Sequence, residues 1–360
     1  FHFTSKHHYV AANEDENTTD ASIQVLYDKT APSIAAMEFA GAKASADGIY
    51  YFSKDPSIHI TAEDAFSLGD YKVTDQVGNT ILTGNIAANG DKTFDKTLVL
   101  TNGIEENKIY TIIFYISDKS GNIATKSNEN GVAYRFAVDT EKPAVDIADK
   151  ESTNSLKLTQ YWNGSDVTVK ASASDNFLIS RITASATCDG KAVADQEQKM
   201  NLETEAIGQT MNASFIYKKA GVYEVTVTAY DEVGNTKTAK CTFVIDNELA
   251  DISFSGIPVS GVYKNDGTQT ITVKAADDYG IAASDVVVKV VYETYDYDAT
   301  TGAGVKGEEI ITAKNSSDQT VTATIKNCKV IDGKPMKYYI AVSATDRSGN
   351  SSEKRSKTFY

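Results

Sequence analysis

The sequence is poor in the residues that usually announce chemistry. Its 360 residues hold three cysteines, four histidines, one tryptophan and five prolines. Cys188, Cys241 and Cys328 are odd in number, so at least one thiol has no intrachain partner. Their spacing matches neither a zinc site nor a redox pair, and each is expected to be a small buried apolar residue. His2, His7 and His8 crowd the first positions, and His59 falls in the outward phase of its segment. None of these placements suits a catalytic base or a metal ligand. No Gly-x-Ser-x-Gly, no His-Glu-x-x-His and no phosphate-cradling glycine loop occurs. A non-enzymatic chain is expected, with no catalytic residue and no required cofactor.

Positive charge is also scarce. Lysine and arginine number 35 against 49 aspartates and glutamates, for a net charge of −14. That balance argues against binding to nucleic-acid phosphates. It serves solubility first, and it can also supply oxygen ligands for hard cations. No apolar run approaches the ~20 residues of a membrane helix. The longest, Ile109 to Ile116 ("IYTIIFYI"), has the length of a strand, so no membrane insertion is expected in this segment. Phe1 opens a polar stretch and not a signal peptide, which makes the chain read as a piece of a larger protein. The 41% hydrophobic content is enough for packed cores.

What is present is a repeat. Asp-x-x-Gly-Asn occurs at Asp118, Asp231 and Asp346, with a looser copy, "TDQVGNTIL", at Asp75. Eight residues before each of the first three stands a tyrosine: Tyr110, Tyr223 and Tyr338. Between tyrosine and aspartate the apolar residues alternate, as in Tyr223, Val225, Val227, Ala229 and then Asp231. Period two means a strand with one buried face, and the aspartate lies in phase with that face. A second landmark precedes the first: "SIHITAED" ending near Asp64, "DVTVKASASD" at Asp175 and "QTITVKAADD" at Asp277. A third is a closing strand that ends in a linker aspartate: Asp28, Asp139 and Asp246. These landmarks predict units at 30–139, 140–246 and 247–360, with 1–29 the tail of a truncated predecessor. Units of about 110 residues, made of short alternating strands with no helical periodicity, predict all-β sandwiches. Pro32 and Pro143 stand where first strands begin, a place that tolerates a missing N–H.

The linker "VDTEKPAV", the segments "ASDN" and "AADDYG" and the hairpin "YDEVGNTKT" resemble tandem bacterial immunoglobulin-like (Big-type) domains. The resemblance implies three tandem immunoglobulin-like β-sandwiches in an extended array. It further implies a stalk or spacer of an extracellular, cell-surface or secreted bacterial protein, with adhesion as an added role. The Gly221-x-Tyr223 pair is similar to that fold's tyrosine corner. Where antibody domains carry a cysteine two residues later, this chain has Ile112, Val225 and Ile340, so no sheet-to-sheet disulfide is expected.

Two readings of Asp-x-x-Gly-Asn stay open. One is a tight hairpin, with the aspartate capping backbone N–H groups and glycine supplying a positive φ. The other combines the landmarks through the implied fold, in which the second and sixth strands end at one pole. Asp28, Asp64 and Asp118 then converge, as do Asp139, Asp175 and Asp231, and Asp246, Asp277 and Asp346. Glu63, Asn176 and Asp278 add oxygens nearby. Such sets suit Ca²⁺ at domain junctions.

The stretch "VVYETYDYDATTG" is the most individual segment. Tyr292, Tyr295 and Tyr297 on an exposed hairpin could stack on a glycan or anchor a host protein. The rival readings are therefore a carbohydrate- or host-protein-binding module, and an accessory region of a secreted glycoside hydrolase. Plain strand-forming tyrosines account for the same stretch without a ligand.

Overall fold

The computed structural model describes residues 3–6, 18–21, 27–42, 45, 47–86, 90–129, 131–148, 159–162, 166–199, 207–208 and 210–360. His2, His7 and His8, and most of the expected 1–29 tail, lie outside these residues. Every helix-or-strand element among the described residues is a β-strand.

Among the described residues, most strands from Ser33 onward gather around three hydrophobic cores, each closed by two sheets. Around the first core, Ser33–Phe39, Ser57–Glu63 and Thr93–Val99 form one sheet. It faces a sheet ordered Ile49–Phe52, Arg135–Val138, Ile109–Asp118, Leu68–Asp75 and Thr80–Asn85. Around the second, Ala144–Ala148, Val167–Ser174 and Met211–Tyr217 face a sheet that contains Thr159–Trp162, Thr236–Ile245, Gly221–Asp231 and Ile179–Cys188. Around the third, Asp251–Ser255, Ile271–Ala276, Thr320–Ile325 and Lys314–Ser317 face Lys306–Ile311, Ile281–Thr294, Met336–Asp346 and Ser351–Arg355. Two faced antiparallel sheets are the sandwich arrangement. In the first two cores a short early strand joins the second sheet in parallel, Ile49–Phe52 on Arg135–Val138 and Thr159–Trp162 on Thr236–Ile245.

The alternation seen in the sequence becomes burial. Tyr110, Ile112, Phe114, Ile116 and Asp118 all point into the first core, and their neighbours are half-exposed. Tyr223 to Asp231 and Tyr338 to Asp346 repeat the pattern. Each fully buried side chain such as Ile112 or Phe136 contributes roughly 1.5–3 kcal/mol relative to exposure. Ile112, Val225 and Ile340 are among these core residues. Cys188, Cys241 and Cys328 are all buried and unbridged. Burial pushes the Cys241 and Cys328 thiols up to about 11, so both act as apolar filling.

The three repeat tyrosines tie their strands back to upstream backbone. The hydroxyl of Tyr110 donates to the Gly103 carbonyl at 3.3 Å, that of Tyr223 to Lys219 at 3.0 Å and that of Tyr338 to Lys329 at 2.6 Å. Tyr223 also stacks on Phe243 at 5.0 Å. Tyr223→Phe keeps that ring and loses only the hydrogen bond. The expected cost is about 1 kcal/mol, lowering the melting temperature by roughly 2–4 °C where the first two cores melt together. A thermal melt checks this; an unchanged midpoint would make the corner bond energetically idle.

Candidate cation sites at the repeat junctions

Asp-x-x-Gly-Asn builds a turn in every copy. Asp231 Oδ1 accepts from the backbone N–H of Val233 at 3.0 Å, Gly234 at 2.6 Å and Asn235 at 2.8 Å. Asp346 Oδ1 accepts from Ser348 and Asn350, and Asp118 Oδ1 from Asn122. In the looser copy Asp75 Oδ1 accepts from Val77 and Asn79. The glycines sit at φ 93° (Gly78), 91° (Gly121), 95° (Gly234) and 89° (Gly349). A side chain rarely adopts that conformation, which explains the glycine.

The asparagine has a second task in three of the four copies. Asn122 Nδ2 donates to the backbone carbonyl of Asp28 at 3.2 Å, and Asn350 Nδ2 to that of Asp246 at 3.2 Å. Asn235 Nδ2 donates to the carbonyls of Asp139 at 3.3 Å and Glu141 at 2.8 Å. Each bond fastens a hairpin to the linker that enters its core, across 94 to 104 residues of chain. In the looser copy, Asn79 Nδ2 donates to its own Asp75.

The other aspartates cap turns of their own. Asp64 Oδ1 accepts from Phe66 and Ser67, Asp175 Oδ1 from Phe177, and Asp277 Oδ1 from Tyr279 and Gly280. In the linkers, Asp28, Asp139 and Asp246 each accept, through Oδ1, the N–H two residues on. One carboxylate oxygen of each aspartate is thus committed to local backbone; Oδ2 of Asp118 and of Asp346 also accepts, from the Asn122 and Asn350 amides.

The structure gathers these aspartates into the sets Asp28–Asp64–Asp118, Asp139–Asp175–Asp231 and Asp246–Asp277–Asp346. Within each set, one oxygen per residue lies within 4.8 Å of the others. Asp139 is 1% exposed, Asp231 2% and Asp246 1%. Oδ2 of Asp28, Asp175, Asp231 and Asp246 is buried and lacks a hydrogen-bond partner. Like charges this close, out of water, disfavour full ionisation. Asp139 is pushed up to about 7, by burial first and then by the charges of Asp175 and Asp231. Burial likewise raises Asp175, Asp231 and Asp277. Asp118 goes the other way: burial pushes it up, but hydrogen bonds from the Asn122 side chain and the turn backbone bring it below the ordinary range. Buried, unpartnered carboxylate oxygens in an all-oxygen set fit a hard cation, and calcium's long, flexible coordination suits it better than magnesium's octahedron.

The other candidate positions are placed differently. Asn176 lies beside the middle set, and its Oδ1 is buried without a partner. Glu63 and Asp278 are exposed. His59 meets Asp95 at 3.2 Å on the sheet surface. The three tyrosines do not form one exposed platform. Tyr292 continues the inward phase of Val288 and Val290 and is 7% exposed within the third core. Only Tyr295 and Tyr297 lie beyond the strand's last residue, Thr294. Tyr295 is 49% exposed and stacks on Tyr360 at 5.4 Å.

Sequence reasoning missed an aromatic that sits two residues after each strand aspartate: Phe66, Phe177 and Tyr279. In the second and third copies the aspartate's turn presents this ring toward the preceding strands. Phe177 meets Tyr51 at 5.1 Å and joins Ile49, Tyr51, Ala137 and Leu178 in a buried cluster between the first and second cores. Tyr279 lines a cleft with Val222 and Val244, on the outer face of the strands Gly221–Asp231 and Thr236–Ile245. Phe66 is 42% exposed. The signal was the repeated Asp-x-aromatic itself.

No protein-family model and no curated protein matches this sequence. Solved structures are similar at low identity. One, of a 1.5-MDa bacterial ice-binding adhesin studied for host cell surface retention, is 14% identical over 90% of this chain and 96% of its own, with a TM-score of 0.36. The fibronectin(III)-like modules of Clostridium thermocellum CbhA are 15% identical over 59% of this chain and 95% of theirs, at 0.31. A tetra-tandem repeat in the extending region of a large adhesion protein is 15% identical over 91% of this chain and 75% of its own, at 0.32. Identities and TM-scores this low assign no function.

Proposed function

We propose that this chain is a non-enzymatic stalk segment of an extracellular bacterial surface protein. Three immunoglobulin-like units, at 30–139, 140–246 and 247–360, follow one another, and Ca²⁺ at the junctions stiffens them into a rod. The observation that carries this reading is the recurrence of one linker aspartate, one strand aspartate and one hairpin aspartate at the same pole of each core. A cation there ties a linker to both sheets of the unit it enters, which restrains the angle between neighbours. When bound, the ion neutralises carboxylates that otherwise repel. The chain's own residues orient them: backbone N–H groups fix each Oδ1, and Asn122, Asn235 and Asn350 hold the linkers. The remainder of the parent protein supplies the anchor and the tip.

Small-angle scattering and thermal melting, in calcium and then in chelator, test the proposal. Calcium is expected to lengthen the particle and raise its melting temperature by several degrees. Identical scattering curves and midpoints in both buffers would reduce the aspartates to turn formers.

A second reading, binding of a glycan or host protein, draws on the exposed Tyr295–Tyr360 stack. Glycan-array binding lost on Tyr295→Ala would favour it over a plain stalk.

A further inference from the structure

We infer that the three junction sites are unequal and fill in order, the middle set of Asp139, Asp175 and Asp231 taking calcium first. This rests on the cation reading above and adds to it which site leads and why. The difference lies in how many buried oxygens stand without a hydrogen bond at each site. At the outer sites the turn asparagine's amide is spent on an oxygen of the hairpin aspartate: Asn122 Nδ2 lies 2.6 Å from Asp118 Oδ2, and Asn350 Nδ2 lies 3.0 Å from Asp346 Oδ2. The amide thus supplies part of what a cation would supply, and an arriving ion must share or displace it.

At the middle site the asparagine's short hydrogen bonds run to the linker. Asn235 Nδ2 donates to two linker carbonyls, of Asp139 and Glu141, where Asn122 and Asn350 each donate to one. Asp231 Oδ2 is left buried without a partner on a residue that is 2% exposed, and Asp175 Oδ2 shares that state. Asn176 Oδ1, one residue further along, is a third such oxygen. Each outer set holds a single one, Asp28 Oδ2 at the first and Asp246 Oδ2 at the third. The residue matching Asn176 at the first site is Ala65, which has no side-chain oxygen, and at the third site it is the exposed Asp278.

An unpartnered buried oxygen is costly, and a ligand that satisfies it recovers that cost. The middle site has more to recover, so its affinity is expected to exceed the outer two by about tenfold or more. It also stands beside the buried Ile49–Tyr51–Ala137–Phe177–Leu178 cluster, which holds its two sides in place before the ion arrives. Less ordering is then needed on binding.

Calorimetric titration of the whole chain with calcium chloride tests the order, alongside Asp118→Asn, Asp231→Asn and Asp346→Asn. The tightest step is expected to vanish in Asp231→Asn and to persist in the other two. Asp175→Asn provides a second lesion at the middle site should Asp231→Asn fold poorly. Side-chain amide NMR signals give an independent readout. Those of Asn235 and Asn176 are expected to shift at the first equivalent, and those of Asn122 and Asn350 only later. Loss of the tightest step in Asp118→Asn or Asp346→Asn, or three equal steps, overturns the ordering and leaves the cation reading standing. No calcium heat and no shift in any amide signal overturns both.

Discussion

Stripped of divalent cations, the chain is expected to lose stability as pH rises from about 4 to about 7, and calcium is expected to remove that loss. The sign follows from Asp139, whose carboxyl is raised to about 7 in the folded chain by burial and by Asp175 and Asp231. Unfolded, it titrates near its ordinary ~3.9. Between those values the folded form holds a proton that the unfolded form has released, so stability falls with rising pH. About three pH units at ~1.4 kcal/mol each set a ceiling of about 4 kcal/mol for this group. Asp118, lowered mainly by its Asn122 and backbone hydrogen bonds, acts in the opposite sense and at lower pH, where its contribution is lost on acidification. The slope between pH 5 and 7 therefore reports the raised aspartates. Calcium on the ionised set would supply the missing counter-charge, and the slope is then expected to flatten. Melting temperatures in chelator at pH 5, 6 and 7 are the measurement, with Asp139→Asn as the variant that should flatten the curve without calcium. A chelated wild type whose midpoint stays level or climbs over this range would contradict the crowded-carboxylate account.

The sequence made part of this site legible, for an identifiable physical reason. A strand's side-chain period is two, so placing Asp118, Asp231 and Asp346 in phase with Tyr110, Tyr223 and Tyr338 already aims them at a core edge. The second-strand aspartates follow from the same phase rule, whereas the linker aspartates are placed there only through the implied fold, since Asp246 is out of phase with Phe243 and Ile245. The role of Asn122, Asn235 and Asn350 was not legible, because their partner is a backbone carbonyl about a hundred residues away. A carbonyl carries no side-chain signature. For Tyr292, Tyr295 and Tyr297 residue type alone leaves two readings open, a ligand contact and plain strand formers. Read by phase, Tyr292 continues Val288 and Val290 into the core, and that is where it lies. Phe66, Phe177 and Tyr279 stand in a turn, outside the strand periodicity, so phase does not single them out.

Those three aromatics are expected to differ sharply when truncated, with Phe177→Ala the most damaging. Phe177 is 5% exposed, and its ring is clasped by Tyr51, itself fixed by a 2.9 Å hydrogen bond from its hydroxyl to Asp47. Removing a ring so enclosed typically costs about 3–5 kcal/mol, from lost transfer energy and from the cavity left behind. Here the loss falls on the contact between two cores more than within either. The first and second units should therefore stop melting together. Tyr279 is half-buried in a cleft, so Tyr279→Ala should weaken the next junction less. Phe66, 42% exposed, has little burial to lose, and Phe66→Ala should be nearly silent. Differential scanning calorimetry of the three variants measures the order directly. Equal effects from Phe177→Ala and Phe66→Ala would show that the apolar cluster does not couple the cores. With the predicted order, the first two units form one stiff segment through packing alone, and cation binding matters most for the angle of the third.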